Sequence, residues 1–233
     1  GTAAYKYASD LTEAANKSDV TFGYMSKSVR DWADNSLESM GMARSTALDA
    51  VSLYGDMATS MGLALKPAAE MSERLVELSS DIASFKNVSL SQSQNALKSI
   101  FTGETETLKN LGIVMTETNL KAYALSKGIK TAYTDMSQAE KVQLRYDYVL
   151  ETSKNAIGDY SRTQDEAAQQ VRKLPEALKE LGASFGENIA PVITPLITGL
   201  NNLIVSFGQL DDVSKQNIVR AAAIAAGIGP VTL

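Results

Sequence analysis

At 233 residues the chain is long enough to bury the core of one or two domains. Hydrophobic residues make up 44%, aromatics only 6%, and the formal charge is −5, which excludes a disordered polar chain and a basic nucleic-acid surface. Cys and His are both absent. Disulfides, thiolate nucleophiles, His-dependent triads and the commonest zinc ligand are therefore out of reach.

The low aromatic content and the supply of Ala, Leu, Ser and Met suit helices better than sheets. Met25, Val29, Trp32, Ser36 and Met40 recur at helical spacing, with Gly41 as the stop. Ala47, Val51, Tyr54, Ala58 and Met61 form the next stripe, with Ser45 as the expected N-cap and Gly62 as the end. Pro67 opens a third helix carrying Met71, Leu75, Leu78 and Ile82. Short connections make these three antiparallel neighbours.

Shorter pieces follow. Ser89 and Gln92 have capping-box spacing ahead of Ala96, Leu97, Ile100 and Phe101, and Gly103 closes that run. Residues 104–111 and 118–126 read as helices ended by Gly112 and Gly128. Ile113-Val114-Met115 and the segment 129–133 are the two places where strands could pair as a small hairpin. Ser137 with Glu140 is a clear capping box, opening a helix with Val142, Tyr146, Val149 and Leu150 inward; Gly158-Asp159 breaks it.

Thr163 with Glu166 has the spacing of a third box. From there Ala167, Val171, Leu174, Leu178, Leu181 and Phe185 recur at four and three, and the rhythm continues through Ile189, Val192, Leu196, Leu200, Leu203, Phe207 and Leu210. Unbroken, this would be a rod of roughly 65 Å at ~1.5 Å per residue. Pro175, Pro191 and Pro195 predict kinks or breaks. No charge occurs from Asn188 to Leu210. That run is long enough to cross a bilayer, but Thr194, Thr198, Asn201, Asn202 and Ser206 lie opposite its stripe. Two readings stand: an amphipathic helix buried in an oligomer or on its own domain, and a segment that enters a membrane once released. The seam expected to do either is Ile189, Val192, Ile193, Leu196, Leu200, Leu203, Ile204 and Phe207.

Chemical motifs are weak. Residues 182–186 match G-x-S-x-G, but the pattern needs a strand, a strained turn and a His; a helix-packing notch is the simpler reading. Asp10/Glu13, Glu70/Glu73, Glu104/Glu106 and Asp211/Asp212 could be imagined as catalytic pairs, yet such pairs are usually solvated helix faces. Asn16-Lys17-Ser18 and Asn87-Val88-Ser89 fit a glycosylation sequon, which arises often by chance. Met25, Met40, Met42, Met57, Met61 and Met71 suggest core filling more than an adaptable partner surface. No cofactor or metal is expected. Residue 1 is Gly without a signal-peptide pattern, and 226–233 stops inside an apolar stretch, so the expectation is a piece of a larger protein.

One ordered set of segments resembles a known family. Phe101-Thr-Gly-Glu-Thr-Glu-Thr-Leu-Lys-Asn-Leu-Gly-Ile-Val-Met115 resembles a hallmark of phage tail tape measure proteins. Ala122-Tyr-Ala-Leu-Ser-Lys-Gly-Ile129, Met136-Ser-Gln-Ala-Glu-Lys-Val-Gln-Leu-Arg-Tyr146 and Gly158-Asp-Tyr-Ser-Arg-Thr163 are similar to the same family. So are the helices before them, through Met61-Gly62 and residues 71–85, and Gln170-Val-Arg-Lys-Leu174, Phe185-Gly186 and the apolar run after them. The resemblance spans about 45–210.

It implies a structural role in a phage or phage-like tail, including tail-derived bacteriocins: tail assembly, length determination and genome ejection through the host membrane. Implied partners are further copies of the chain (trimer or hexamer by family analogy), tail tube and tip proteins and the host membrane, with no specific nucleic acid. The implied places are the tail lumen or tip, and the host envelope during ejection. Alternatives are a helical partner-binding adaptor and a pore former. The expected architecture is mainly α, with coiled-coil character: an antiparallel helical module over 1–162 with at most one small β-hairpin, an amphipathic helix over 163–187 and an apolar helical segment over 188–233. No enzyme activity is expected.

Overall fold

The computed structural model describes residues 2–185, 198, 199, 202 and 205–225. Among them the chain is mainly α-helical, with no strand. The first helix, α1 (Thr2–Phe22), has no counterpart in the apolar rhythm of the sequence. Its inward residues are Ala14, Ser18 and Phe22, spaced by four but mostly small. A 3-10 turn (Gly23–Met25) leads to α2 (Ser26–Ala33) and α3 (Ser36–Met40). The stripe from Met25 to Met40 thus belongs to more than one element. The break at 34–35 lets Ser36 turn inward and donate to the Met42 carbonyl at 2.9 Å. Gly41 ends α3 at φ +67, and Tyr160 packs where its Cβ would be, 2.8 Å away.

The long pair α4 (Arg44–Ser60) and α5 (Leu65–Lys86) runs antiparallel through the left-handed Gly62 and forms the centre of the module, with α1 against α4. Close approach is set by small residues. A Cβ on Gly55 would sit 2.4 Å from Phe22 Cζ. Ser52, Ser72 and Ser79 are fully buried, and each donates to a carbonyl of its own helix at 2.6 Å. That internal bond removes the cost of burying a hydroxyl. The methionines fill gaps as expected: Met40, Met42 and Met71 are buried, and Met25, Met57 and Met61 pack against the core.

A second layer follows: α6 (Leu90–Leu97), α7 (Ser99–Thr102), α8 (Glu106–Lys109), α9 (Glu117–Ser126), α10 (Gln138–Thr152) and α11 (Asp159–Thr163). Ser137 and Glu140 form the reciprocal capping box, at 3.2 and 2.7 Å. Ser89 caps Gln92 N at 3.1 Å. Neither hairpin segment forms a strand. Ile113 and Met115 point inward and Val114 outward, as in a strand. However, the Val114 carbonyl accepts from Asn119 Nδ2 and Tyr148 Oη, each at 2.8 Å, in place of a neighbouring backbone. Residues 128–129 instead close α9, with Ile129 N on Ala124 O at 3.0 Å and Gly128 at φ +74.

The last described helices are α12 (Ala167–Phe185) and α13 (Asp212–Ala225). Thr163 does not cap α12: its hydroxyl donates to Asp159 O at 2.9 Å, inside α11. Pro175 leaves α12 continuous. Its missing N–H would have served the carbonyl of Val171, a residue 54% exposed, so water can take that bond. One hydrophobic core extends from Ala14 to Ala156, and no described α12 side chain belongs to it.

Candidate functional site

The end of α7 and the loop before α10 meet around Arg145. This residue of α10 is only 8% exposed. Its Nη1 donates to the carbonyls of Ile100 and Phe101 at 3.2 Å each, and Nε and Nη2 donate to Tyr133 Oη at 3.1 and 2.9 Å. The carbonyls are at the C-terminal end of α7, where a cation meets unpaired acceptors and the negative end of the helix dipole. Gly103 is required there twice over. It ends α7 at φ +79, and a Cβ would sit 2.8 Å from Arg145 Nη2. Around this hub Ser99 and Thr107 hydroxyls pair at 2.7 Å, and Tyr123 meets Tyr148 edge-on at 5.5 Å. Residues from 99–115, 123, 133 and 145–148 therefore form one packed unit.

A second theme is capping at long range. Asp81 of α5 accepts from Gly158 N and Tyr160 N, at 2.7 and 3.1 Å, at the start of α11. Burial pushes its carboxyl up from the usual range, and those two N–H donors pull it back. The N-terminus of α4 is capped from α12, not by Ser45, which is buried one position inside the helix. Glu176 Oε2 accepts from Ala43 N at 3.0 Å and from Thr46 Oγ1 at 2.6 Å. Glu180 accepts from Arg44 N at 2.8 Å and faces Arg44 Nε at 3.0 Å.

α12 thus packs along α1 and adds a row of polar bonds to the rest of the module. Lys173 pairs with Glu38 at 3.0 Å, Gln169 donates to Ser84 at 2.6 Å, and Arg172 reaches Ala83 O at 3.1 Å and Asn87 Oδ1. Side chains of Glu176 and Lys173 are 14% and 17% exposed. Val171, Leu181 and Phe185 are 54%, 39% and 53% exposed. The G-x-x-x-G reading holds at its first glycine: Gly182 is buried, and a Cβ there would sit 2.5 Å from Tyr7 Cδ2 of α1.

Of the expected apolar seam, Ile189, Val192, Ile193, Leu196, Leu200, Leu203 and Ile204 lie outside the described residues. Phe207 lies on a helical turn at 205–208, partly exposed beside the more exposed Val205. Among the described residues no helix is long and apolar enough to cross a membrane.

The chemical motifs resolve simply. Ser184 sits in a helix, and its hydroxyl donates to Glu180 O at 2.9 Å. Glu106 pairs with Lys109, and Asp211 caps Ser214 N at 2.9 Å, which holds its carboxyl below the usual range. Glu73 differs. Burial, then the neighbouring charges of Glu77 and Glu70, push it up to about 7. Asp10 and Glu13 line a cleft of about 660 Å³ beside α4 and α6. Its three carboxylates (with Asp49) face three ammonium groups (Lys17, Lys98, Lys179), so it presents no net field to an ion. Among the described residues no acidic group is clustered as a metal site.

Compared with known protein families, curated proteins and solved structures, the chain matches none of them.

Proposed function

We propose that this chain is part of a tape measure protein of a phage or phage-like tail, acting in tail assembly and genome ejection as a structural, non-enzymatic component. The observation that carries the reading is the Arg145 hub. Two of the stretches that resemble the family, 101–115 and 136–146, meet there through the bond from Arg145 to the Phe101 carbonyl. The partners in this reading are further copies of the chain and the tail tube and tip proteins, in the tail lumen or tip. Contact with the host membrane during ejection would fall to the uncharged 188–210 run.

The folded character of residues 2–163 favours a docking or release module within such a protein over the ruler itself. A ruler lays residues along an axis at about 1.5 Å each, whereas here short helices fold back on one core. The exposed Val171, Leu181 and Phe185 favour a second reading, a helical adaptor whose amphipathic seam docks another protein.

Peptide mass spectrometry on tail particles purified from the encoding culture separates the two. Peptides from 1–233 co-purifying with tail tube subunits are expected. Particles complete in tube subunits but lacking this chain would sink the proposal and leave the adaptor.

A further inference from the structure

We infer that α12 is a releasable strap, and that its docking switches the N-terminus of α4 between a capped and an uncapped state. Three independent features lead there. First, no described α12 side chain enters the hydrophobic core that holds the other long helices, so its attachment is not secured by deep apolar burial. Second, apart from its packing along α1, what ties it to the rest of the module is a set of polar bonds made by Gln169, Arg172, Lys173, Glu176 and Glu180. A helix held this way belongs to the low-stability end of a structure and opens before the core does. Third, α4 has no cap of its own. Ala43 stands at its N-cap position with no side-chain bond, and among the described residues the side-chain acceptors on Ala43 N and Arg44 N are the two α12 carboxylates.

The consequence is a coupling in both directions. When α12 leaves, two N–H groups of α4 lose their acceptors, and the first turn of α4 frays. When that turn is ordered, it presents N–H donors and the positive end of its dipole to Glu176 and Glu180, which draws α12 back. α12 also precedes the uncharged 188–210 run directly in the chain. Any pull on that run is therefore felt first by the strap, and through the strap by α4. The Gly182 notch favours one register of docking, because a Cβ there would meet the Tyr7 ring unless that ring moved aside.

The absence of Cys from the chain allows a clean lock. A Cβ at Gly182 would lie 3.4 Å from Tyr7 Cβ, close to the ~3.5–4.5 Å that a disulfide spans. Amide hydrogen exchange would be followed by mass spectrometry on the full chain in three forms: native, Glu176→Ala/Glu180→Ala, and that double variant carrying Tyr7→Cys/Gly182→Cys oxidised. In the native chain α12 should exchange at least tenfold faster than α5. In the double variant, α12 and residues 44–48 should speed up together by at least tenfold, with α5 and α10 unchanged as proof that the fold survives. The oxidised lock should restore slow exchange in α12. Exchange of α12 as slow as α5 in the native chain would overturn the inference. So would a double variant in which 44–48 stays slow while α12 opens, or one in which every helix speeds up equally.

Discussion

Leu75 of α5 and Leu181 of α12 are the same residue in the same four-and-three rhythm, with opposite fates. Leu75 is fully buried, and Leu181 is 39% exposed. The contrast extends to charges. In the module, charged side chains mostly line the outside, while in α12 it is Lys173 and Glu176 that face the protein and Val171 and Phe185 that face out. The module is held by area removed from water, while the strap adds to its packing along α1 a set of bonds that need particular partners. Periodicity reports that a helix has two faces. It does not report which of them its own domain will take.

The two leucines should differ most when truncated. Leu75→Ala should lower stability by about 2–5 kcal/mol, through lost burial and a cavity, and Leu181→Ala by less than about 0.5 kcal/mol. Denaturant melts of both variants check this, and equal losses would erase the distinction. Arg145→Met should come next, at about 3 kcal/mol, because it leaves the Ile100 and Phe101 carbonyls without their donor. The expected fall in thermal midpoint is roughly 6–12 °C.

Gly55 and Gly182 then sharpen it, since a Cβ on either collides with an aromatic ring. Phe22 is fully buried and has nowhere to go, so Gly55→Ala should cost about 1–3 kcal/mol in an equilibrium melt. Tyr7 is partly exposed and its ring can swing aside, so Gly182→Ala should cost under about 1 kcal/mol in the same melt while loosening α12.

The smallest effect is one of pH. Glu73 sits near 7 in the folded chain against 4.5 when free, so the native state holds its proton more tightly. Its contribution is fully present below pH 4.5 and is lost as pH rises through about 7. At a half-buried site, solvent screening reduces this to about 1 kcal/mol. Glu73→Gln should flatten that part of the stability profile between pH 5 and 8, measured by denaturant melts at each pH.

What could be read ahead of the structure was what is local. The Ser137–Glu140 box is legible because both partners sit within one turn. The glycine stops at 41, 103, 112 and 128 are legible because a left-handed residue excludes most side chains. α1 was hidden because Ala14 and Ser18 carry its register without an apolar signal. The Arg145 hub and the α4 cap were hidden because their partners lie 45 and 133 residues away. Thr163 misled because its hydroxyl had a nearer acceptor in α11. The optional hairpin does not form among the described residues, because an in-and-out pattern at Ile113, Val114 and Met115 does not supply a second strand.

In the proposed function, residues 45–160 are a folded module of a tail protein and not a length of ruler. Electron microscopy of particles made with those residues deleted in frame tests it most directly. As extended helix, the 116 residues would account for about 170 Å at ~1.5 Å each. Failed assembly or particles that do not eject are expected, with the tails that do form keeping their length. A uniform population of working tails, each shorter by about 170 Å, would contradict it, as would particles unchanged in number, length and ejection.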